Sequence, residues 1–134
     1  MAVANPKSRM DKIGVKPGMR VAVMGVADPT LSAELAQQRA EPVSKLADLD
    51  LLFYAADSAA ALARLGALAP MLAPGGALWI VSTKGKAATV KGAEVVEAAK
   101  AHGLIDRKAA AFSPTQSALR FTRAKAELEP AIQI

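Results

Sequence analysis

The chain lacks cysteine and has a single histidine, His102. Without cysteine it can form no disulfide, no thiolate zinc site, no iron–sulfur cluster and no cysteine nucleophile. A metal site would need mainly carboxylates, and we expect no metal. The sequence also lacks an apolar run long enough for a membrane helix, and its first residues lack the apolar segment of a signal peptide. We therefore expect a cytoplasmic protein that does not bind membranes.

Aromatic residues are scarce, at 4% of the chain, whereas basic residues outnumber acidic ones 17 to 12. The basic excess is concentrated in residues 1–20 and 84–125, and such a distribution attracts phosphate or nucleic acid. Binding of single-stranded nucleic acid also requires exposed aromatic side chains, and the aromatic residues here fall in apolar or alternating runs that predict buried strands. We therefore expect a small anionic ligand or a protein partner rather than nucleic acid. A homodimer remains an open alternative.

Short apolar runs alternate with helical patterns along the chain. The apolar runs are typical of strands covered on both faces, and they occupy residues 20–26, 49–55 and 77–82. Apolar residues at helical spacing predict helices over residues 28–40, 58–72 and 89–102. Two alternating segments on either side of Ser113–Ser117 predict a hairpin.

This order of elements requires crossover connections, and crossover connections require parallel strands with helices on both faces. The sequence therefore predicts a three-layer α/β/α Rossmann-like sheet, mostly parallel, with a C-terminal antiparallel hairpin. We expect one domain at residues 20–125, preceded by a basic lead-in at residues 1–19 and followed by a tail at residues 126–134.

Candidate ligand-binding residues follow the carboxyl ends of the predicted strands, where open α/β sheets bind their ligands. Lysines and helix N-termini at that edge favour an anion. Asp28 is better explained as a helix cap, and Asp57 as the cap of the next helix if Ser58 does not fill that position. The loop Ser82–Lys86 is better explained as an ordinary solvated loop. No Gly-x-Ser-x-Gly motif is present, and we predict no catalytic residue. The candidates are Gly25, Val26, Asp28, Tyr54, Asp57, Ser82, Thr83, Lys84 and Lys86.

Three parts of the chain resemble the fold of the methyltransferases that depend on S-adenosylmethionine (SAM). They are the segment Val15–Val21 before the first strand, the turn Leu72–Leu78 before the third, and the closing hairpin. The chain is also similar to a family of small bacterial proteins of unknown function that look like shortened versions of this fold. That similarity is carried by residues 5–8, 79–81 and 117–121, and it implies no known activity.

The chain departs from the methyltransferase pattern after its first strand. Such enzymes carry a glycine-rich loop there, because the main chain must approach the cofactor closely. This chain has only Gly25, and Val26 and Ala27 place side chains where open main chain is needed. Ser44 and Lys45 stand where the fold has its ribose-binding acid.

We therefore expect no cofactor and a non-enzymatic or degenerate methyltransferase-like protein. The alternative is a small SAM-dependent methyltransferase, or another nucleotide-using enzyme, completed by oligomerisation.

Overall fold

A computed structural model describes residues 13–26, 28, 30–43, 47–113 and 115–123. These residues form a six-stranded sheet with the strand order β2-β1-β3-β4-β6-β5. Strands β1 to β4 are parallel, and β6 and β5 run antiparallel to their neighbours. The prediction of a mostly parallel sheet with a C-terminal antiparallel hairpin is confirmed. The strands are β1 (Arg20–Met24), β2 (Glu41–Pro42), β3 (Leu49–Ala55), β4 (Leu72–Thr83), β5 (Leu104–Ser113) and β6 (Gln116–Arg123).

The two central strands, β3 and β4, carry the longest apolar runs, because both of their faces are covered. β4 begins earlier than the sequence predicts, since Leu72 already pairs with Leu49. An irregularity in the pairing follows before Ala77 pairs with Leu51. Ser44 and Lys45, which stand where the fold has its ribose-binding acid, lie outside the described residues.

Short helices connect the strands. Ser58 begins α2 as predicted, since its Oγ accepts the N–H of Ala61 at 3.1 Å. The helix predicted over residues 58–72 is divided into α2, α3 and a 3₁₀ turn that contains Pro70, which has no N–H for an α-helical bond. The described helices are α1 (Leu31–Gln37), α2 (Ala59–Leu62), α3 (Leu65–Leu68) and α4 (Gly92–Ala101), with 3₁₀ turns at Ala69–Met71 and Gly85–Ala87.

Successive strand residues point to opposite faces of the sheet, and each face has its own core. Among the helices of the described ranges, α2, α3 and α4 cover one face, which we call the three-helix face, and α1 covers the other, which we call the one-helix face. The three-helix face buries residues such as Leu52, Tyr54, Leu78, Ile80 and Phe121. The one-helix face buries Leu51, Phe53, Trp79, Val81 and Ala118, together with Ile13 and Val15 from the lead-in.

None of the helices in the described ranges combines the length and apolar character that a membrane crossing needs. In the same ranges, no three histidine, aspartate or glutamate side chains lie close enough together to hold a metal ion.

Candidate functional site

The strand order places a switch point between β1 and β3. The chain leaves β1 towards β2 on one side of the sheet and later returns to β3 on the other side. Connections that diverge in this way open a crevice at the carboxyl ends of the two strands, where α/β proteins bind ligands. A cleft of about 490 Å³ lies at this point, and we call it the switch-point cleft. Its described lining is Met24, Gly25, Tyr54, Ala55, Ala60, Ala61 and Arg64.

Gly25 directly follows β1 and has a φ of +76°, a left-handed conformation that residues with a side chain rarely adopt. A Cβ placed on Gly25 would lie 3.7 Å from the Cβ of Ala55, so the neighbouring strand leaves ordinary contact space there. Because Gly25 has no side chain, its main chain is accessible from the cleft. Gly25 alone therefore provides some of the accessible main chain that a glycine-rich loop provides in methyltransferases.

Val26 is not among the residues that line the cleft. Its side chain is partly buried against the core of the one-helix face, whereas Met24 and Tyr54 belong to the three-helix face. The expectation that Val26 obstructs the approach of a ligand is therefore not met. Ala27, the second residue expected to obstruct it, lies outside the described residues.

Tyr54 forms a wall of the cleft and is 6% exposed. Its hydroxyl donates a hydrogen bond of 2.8 Å to the carbonyl oxygen of Ala61. This bond attaches the end of β3 to α2, which contributes Ala60 and Ala61 to the opposite wall. Tyr54 therefore holds the two walls at a fixed separation.

Arg64 follows α2 and is the one charged side chain in the described lining of the cleft. Sequence analysis did not select it, because it lies within a helical pattern rather than after a strand. The sequence does distinguish Arg64 from its neighbours, since it is the only charged residue between Asp57 and Lys84. The described lining contains no carboxylate, so the cleft carries a positive charge.

Asp57 aligns strand ends instead of facing the cleft. Its Oδ1 accepts the N–H of Thr83 at 2.7 Å, which joins the chain after β3 to the end of β4. Its carbonyl oxygen accepts a hydrogen bond from the hydroxyl of Thr89. The structure thus brings together Asp57 and Thr83, two of the residues selected from the sequence, through a hydrogen bond from the main-chain N–H of Thr83 to the Asp57 carboxylate.

Asp28 lies at the entrance to α1, where its Oδ1 accepts the N–H of Thr30 at 3.0 Å and the Thr30 hydroxyl at 2.7 Å. These bonds form a turn just before α1, whose N-cap residue is Thr30, so Asp28 orders the approach to the helix from two residues upstream of the cap instead of being the cap itself. Asp28 is not part of the described lining of the cleft.

The loop after β4 lies at the same edge of the sheet as the cleft but does not line it. Ser82 is buried, and Lys84 and Lys86 are exposed. The N–H of Lys84 donates to the carbonyl oxygen of Thr115 at 3.0 Å, which ties the loop to the β5–β6 turn. The loop therefore forms a basic rim beside β3 rather than a wall of the cleft.

A shallower depression of about 540 Å³ lies between α2 and α4. Alanines make up most of its lining, and Glu94, Glu97 and His102 provide its polar groups. His102 ends α4 and packs against Gly66, where an added Cβ would lie 2.8 Å from the Nδ1 atom. This depression is away from the strand ends, and we do not assign it a small-molecule ligand.

No protein-family model and no curated protein matches the chain. Comparison with solved structures finds SAM-dependent methyltransferases. A TehB-like enzyme from Corynebacterium glutamicum is 16% identical with a TM-score of 0.57, and the match covers 91% of each chain. An enzyme from Aquifex aeolicus is 12% identical with a TM-score of 0.65, covering 84% of this chain and 86% of that one.

A third neighbour is the magnesium protoporphyrin IX methyltransferase of Synechocystis PCC 6803, whose structure contains bound SAM. It is 14% identical with a TM-score of 0.63, and the match covers 86% of this chain and 74% of that one. At these identities the likeness establishes the fold. The chain has a shortened methyltransferase-like Rossmann fold, as the resemblance predicted.

The comparisons correct the prediction that no cofactor is involved. The neighbours are SAM-dependent enzymes, and the Synechocystis structure holds SAM itself. The prediction of a non-enzymatic protein has no support in these comparisons, which favour its alternative. The identities of Val26 and Ala27 predict a closed cleft, whereas the Val26 side chain packs against the core of the one-helix face.

Proposed function

We propose that the chain binds SAM in the switch-point cleft and acts as a methyltransferase-like protein. The observation that carries this proposal is the position of the cleft. It opens at the carboxyl ends of β1 and β3, and Gly25 exposes main chain at its floor. Its volume of about 490 Å³ lies within the range of small-molecule and cofactor sites.

The lining fits the two ends of SAM differently. Short apolar side chains, those of Ala55, Ala60 and Ala61, suit the flat surface of an adenosyl group. The Arg64 guanidinium suits the carboxylate of the methionine part, because arginine and carboxylate form paired hydrogen bonds. The described lining supplies no carboxylate for the ribose hydroxyls, so main-chain groups at Gly25 are the polar groups available there.

When bound, SAM supplies a methyl group that its positively charged sulfur makes electrophilic. The residues of the chain would bind and orient it. Gly25 would leave its main chain open to contact, and Arg64 would hold the SAM carboxylate. The Tyr54–Ala61 hydrogen bond fixes the walls of the cleft. Lys84 and Lys86, exposed on the neighbouring rim, favour a methyl acceptor that carries negative charge.

Calorimetric titration of the purified chain with SAM, and separately with S-adenosylhomocysteine, tests the proposal. We expect saturable binding with one site per chain. Arg64→Ala should weaken binding by about tenfold or more, because it removes a charge-assisted hydrogen bond. Lys100→Ala is the matched control, since it removes one exposed positive charge from α4 and should leave the affinity unchanged. Absence of saturable binding of both compounds by the folded chain would refute the proposal.

Gly25→Val tests the role of the exposed main chain. The branched side chain would occupy the floor of the cleft, and we expect SAM affinity to fall by at least about a hundredfold through loss of that contact surface. Gly18→Val is the control, because Gly18 has a φ of +82° and lies outside the cleft. The two variants should lose similar folding stability from the left-handed conformation, about 1–2 kcal/mol. Equal losses of SAM affinity in both would show that Gly25 has no special role.

A further inference from the structure

The depression of about 540 Å³ between α2 and α4 is an open groove, and we call it the α2–α4 groove. α4 contributes lining residues from Ala93 to Ala101, so the groove follows nearly the whole length of this helix. The ten residues of α4 span about 15 Å, because an α-helix rises by about 1.5 Å per residue. The groove is therefore long enough to contact almost three turns of another helix.

Short side chains form most of the groove. The alanines of its described lining are Ala59, Ala63, Ala93, Ala98 and Ala101. All of these except Ala98 are exposed, and the buried Leu62 is the largest apolar side chain among the described lining residues. The distance between packed helices depends on the side chains at their contact. Alanines on both sides of the groove therefore allow a third helix to pack closely against α2 and α4.

His102 defines the end of the groove where α4 ends. Its ring lies against Gly66 of α3, and a Cβ added to Gly66 would lie 2.8 Å from the Nδ1 atom. A side chain at position 66 would therefore displace the ring, although glycine itself is unfavourable inside a helix. Gly66 thus provides the space in which the imidazole lies.

Two carboxylates lie on the α4 side of the groove. Glu94 and Glu97 are exposed and three residues apart, so they are neighbours on one face of the helix. Glu94 is held at the first turn of α4, because its Oε1 accepts the N–H of Lys91 at 2.8 Å. The described lining includes no lysine or arginine, so the groove is an acidic patch on a chain whose net charge is +5.

We propose that the α2–α4 groove binds an amphipathic helix of a protein partner. Small apolar residues of the partner helix pack against the alanines, and its lysine or arginine side chains lie opposite Glu94 and Glu97. The apolar lining supplies contact area, and the two carboxylates select a basic partner. The groove shares no described lining residue with the switch-point cleft, so this proposal is independent of SAM binding.

A helix fits the groove better than other occupants do. Small-molecule sites enclose most of their ligand, whereas this depression is shallow and open along one side. A partner strand would need a sheet edge, and here both sides are helices. A second copy joined through the same patch would bring Glu94 and Glu97 against the same two residues of the other copy, and like charges disfavour association.

The test uses two alanine-rich peptides of about 18 residues, long enough to form a helix. One peptide carries lysines along both borders of its apolar face, and the other carries glutamates at the same positions. Fluorescence anisotropy of a dye on the peptide measures binding to the full chain. We expect saturable binding of one lysine peptide per chain, and binding of the glutamate peptide that is about tenfold weaker or more. The net charge of +5 alone would favour the glutamate peptide, so a preference for the lysine peptide indicates the acidic groove.

Two pairs of variants assign the binding to the groove. Glu97→Lys should weaken binding of the lysine peptide by about tenfold and strengthen that of the glutamate peptide. Its matched control is Glu41→Lys, which makes the same change of charge at an exposed position of β2 and should change the affinity by less than about twofold. Ala101→Leu fills part of the groove and should weaken both peptides by about tenfold. Its control is Ala67→Leu, because Ala67 is exposed on α3 and is not part of the described lining.

Equal weakening of the lysine peptide by Glu97→Lys and Glu41→Lys would overturn the proposal, as would tighter binding of the glutamate peptide to the wild-type chain. Absence of saturable binding of the lysine peptide at concentrations up to about 1 mM would also overturn it. Sedimentation that shows a dimer of the chain alone, abolished by Ala101→Leu, would show that a second copy occupies the groove instead. Displacement of the peptide by butylamine, but not by sodium chloride at equal ionic strength, would show a site for small amines. If Glu97→Lys does not fold, Glu97→Gln takes its place, with an expected weakening of about threefold.

Discussion

An aspartate lies near each end of β3, and both carboxylates accept a main-chain N–H. Asp50 accepts from Arg20 at 2.9 Å, and Asp57, just beyond the other end, accepts from Thr83 at 2.7 Å. Their surroundings differ. Asp50 lines a cavity with three basic residues, whereas Asp57 lies outside the described lining of a cleft whose one charged group is Arg64.

The difference shows that the same bond serves two purposes. At the carboxyl edge, Asp57 aligns the ends of β3 and β4 and leaves the cleft to main chain, short side chains and one arginine. At the amino edge, Asp50 aligns β3 with β1 and lies in a cavity that basic side chains also line. The role of each aspartate is therefore set by residues that reach it from other strands.

Asp50→Ala should have the largest effect on stability. We expect the free energy of unfolding to fall by about 3 kcal/mol, because the part-buried hydrogen bond from the Arg20 N–H to a charged acceptor, which joins β1 to β3, is lost. Urea unfolding measures the change. Asp106→Ala is the control, because Asp106 is exposed on β5. Equal losses in the two variants would remove the distinction drawn for Asp50.

Asp57→Ala should have a smaller effect, about 2 kcal/mol, because the bond from the Thr83 N–H that it breaks lies at the ends of β3 and β4, where a sheet opens most easily. The same urea experiment measures it. A loss of stability as large as that of Asp50→Ala would mean that the bond at the strand ends contributes as much as the bond from Arg20 to Asp50.

Most of the sheet could be predicted from the sequence, because buried parallel strands have continuous apolar runs and crossover connections restrict the topology. Gly25 and Tyr54 could be selected as cleft residues for the same reason, since each lies at a strand end. The orientation of the Val26 side chain could not be predicted from the sequence. It depends on the left-handed conformation of Gly25, which redirects the chain after β1.

The position of Arg64 and the pairing of Lys108 with Arg120 could not be predicted, for another physical reason. Arg64 reaches the cleft only because α2 stops at Leu62 and the chain turns before α3, and the helical pattern of leucines does not reveal this break. Lys108 faces Arg120 only because a bulge at Arg107 shifts the register of the hairpin by one residue. A shift of one residue exchanges the two faces of a strand, and composition alone does not predict it.

Tyr54→Phe has the smallest expected effect and bears most directly on the architecture of the cleft. It keeps the ring of the wall but removes the hydrogen bond to Ala61, so the free energy of unfolding should fall by about 1 kcal/mol. Because that bond attaches α2 to β3, loosening it should weaken SAM binding about threefold, less than Arg64→Ala does. Urea unfolding and calorimetry on the same preparations separate the two effects. A loss of SAM affinity larger than that of Arg64→Ala would mean that the Tyr54 hydroxyl contacts the ligand directly instead of positioning the helix.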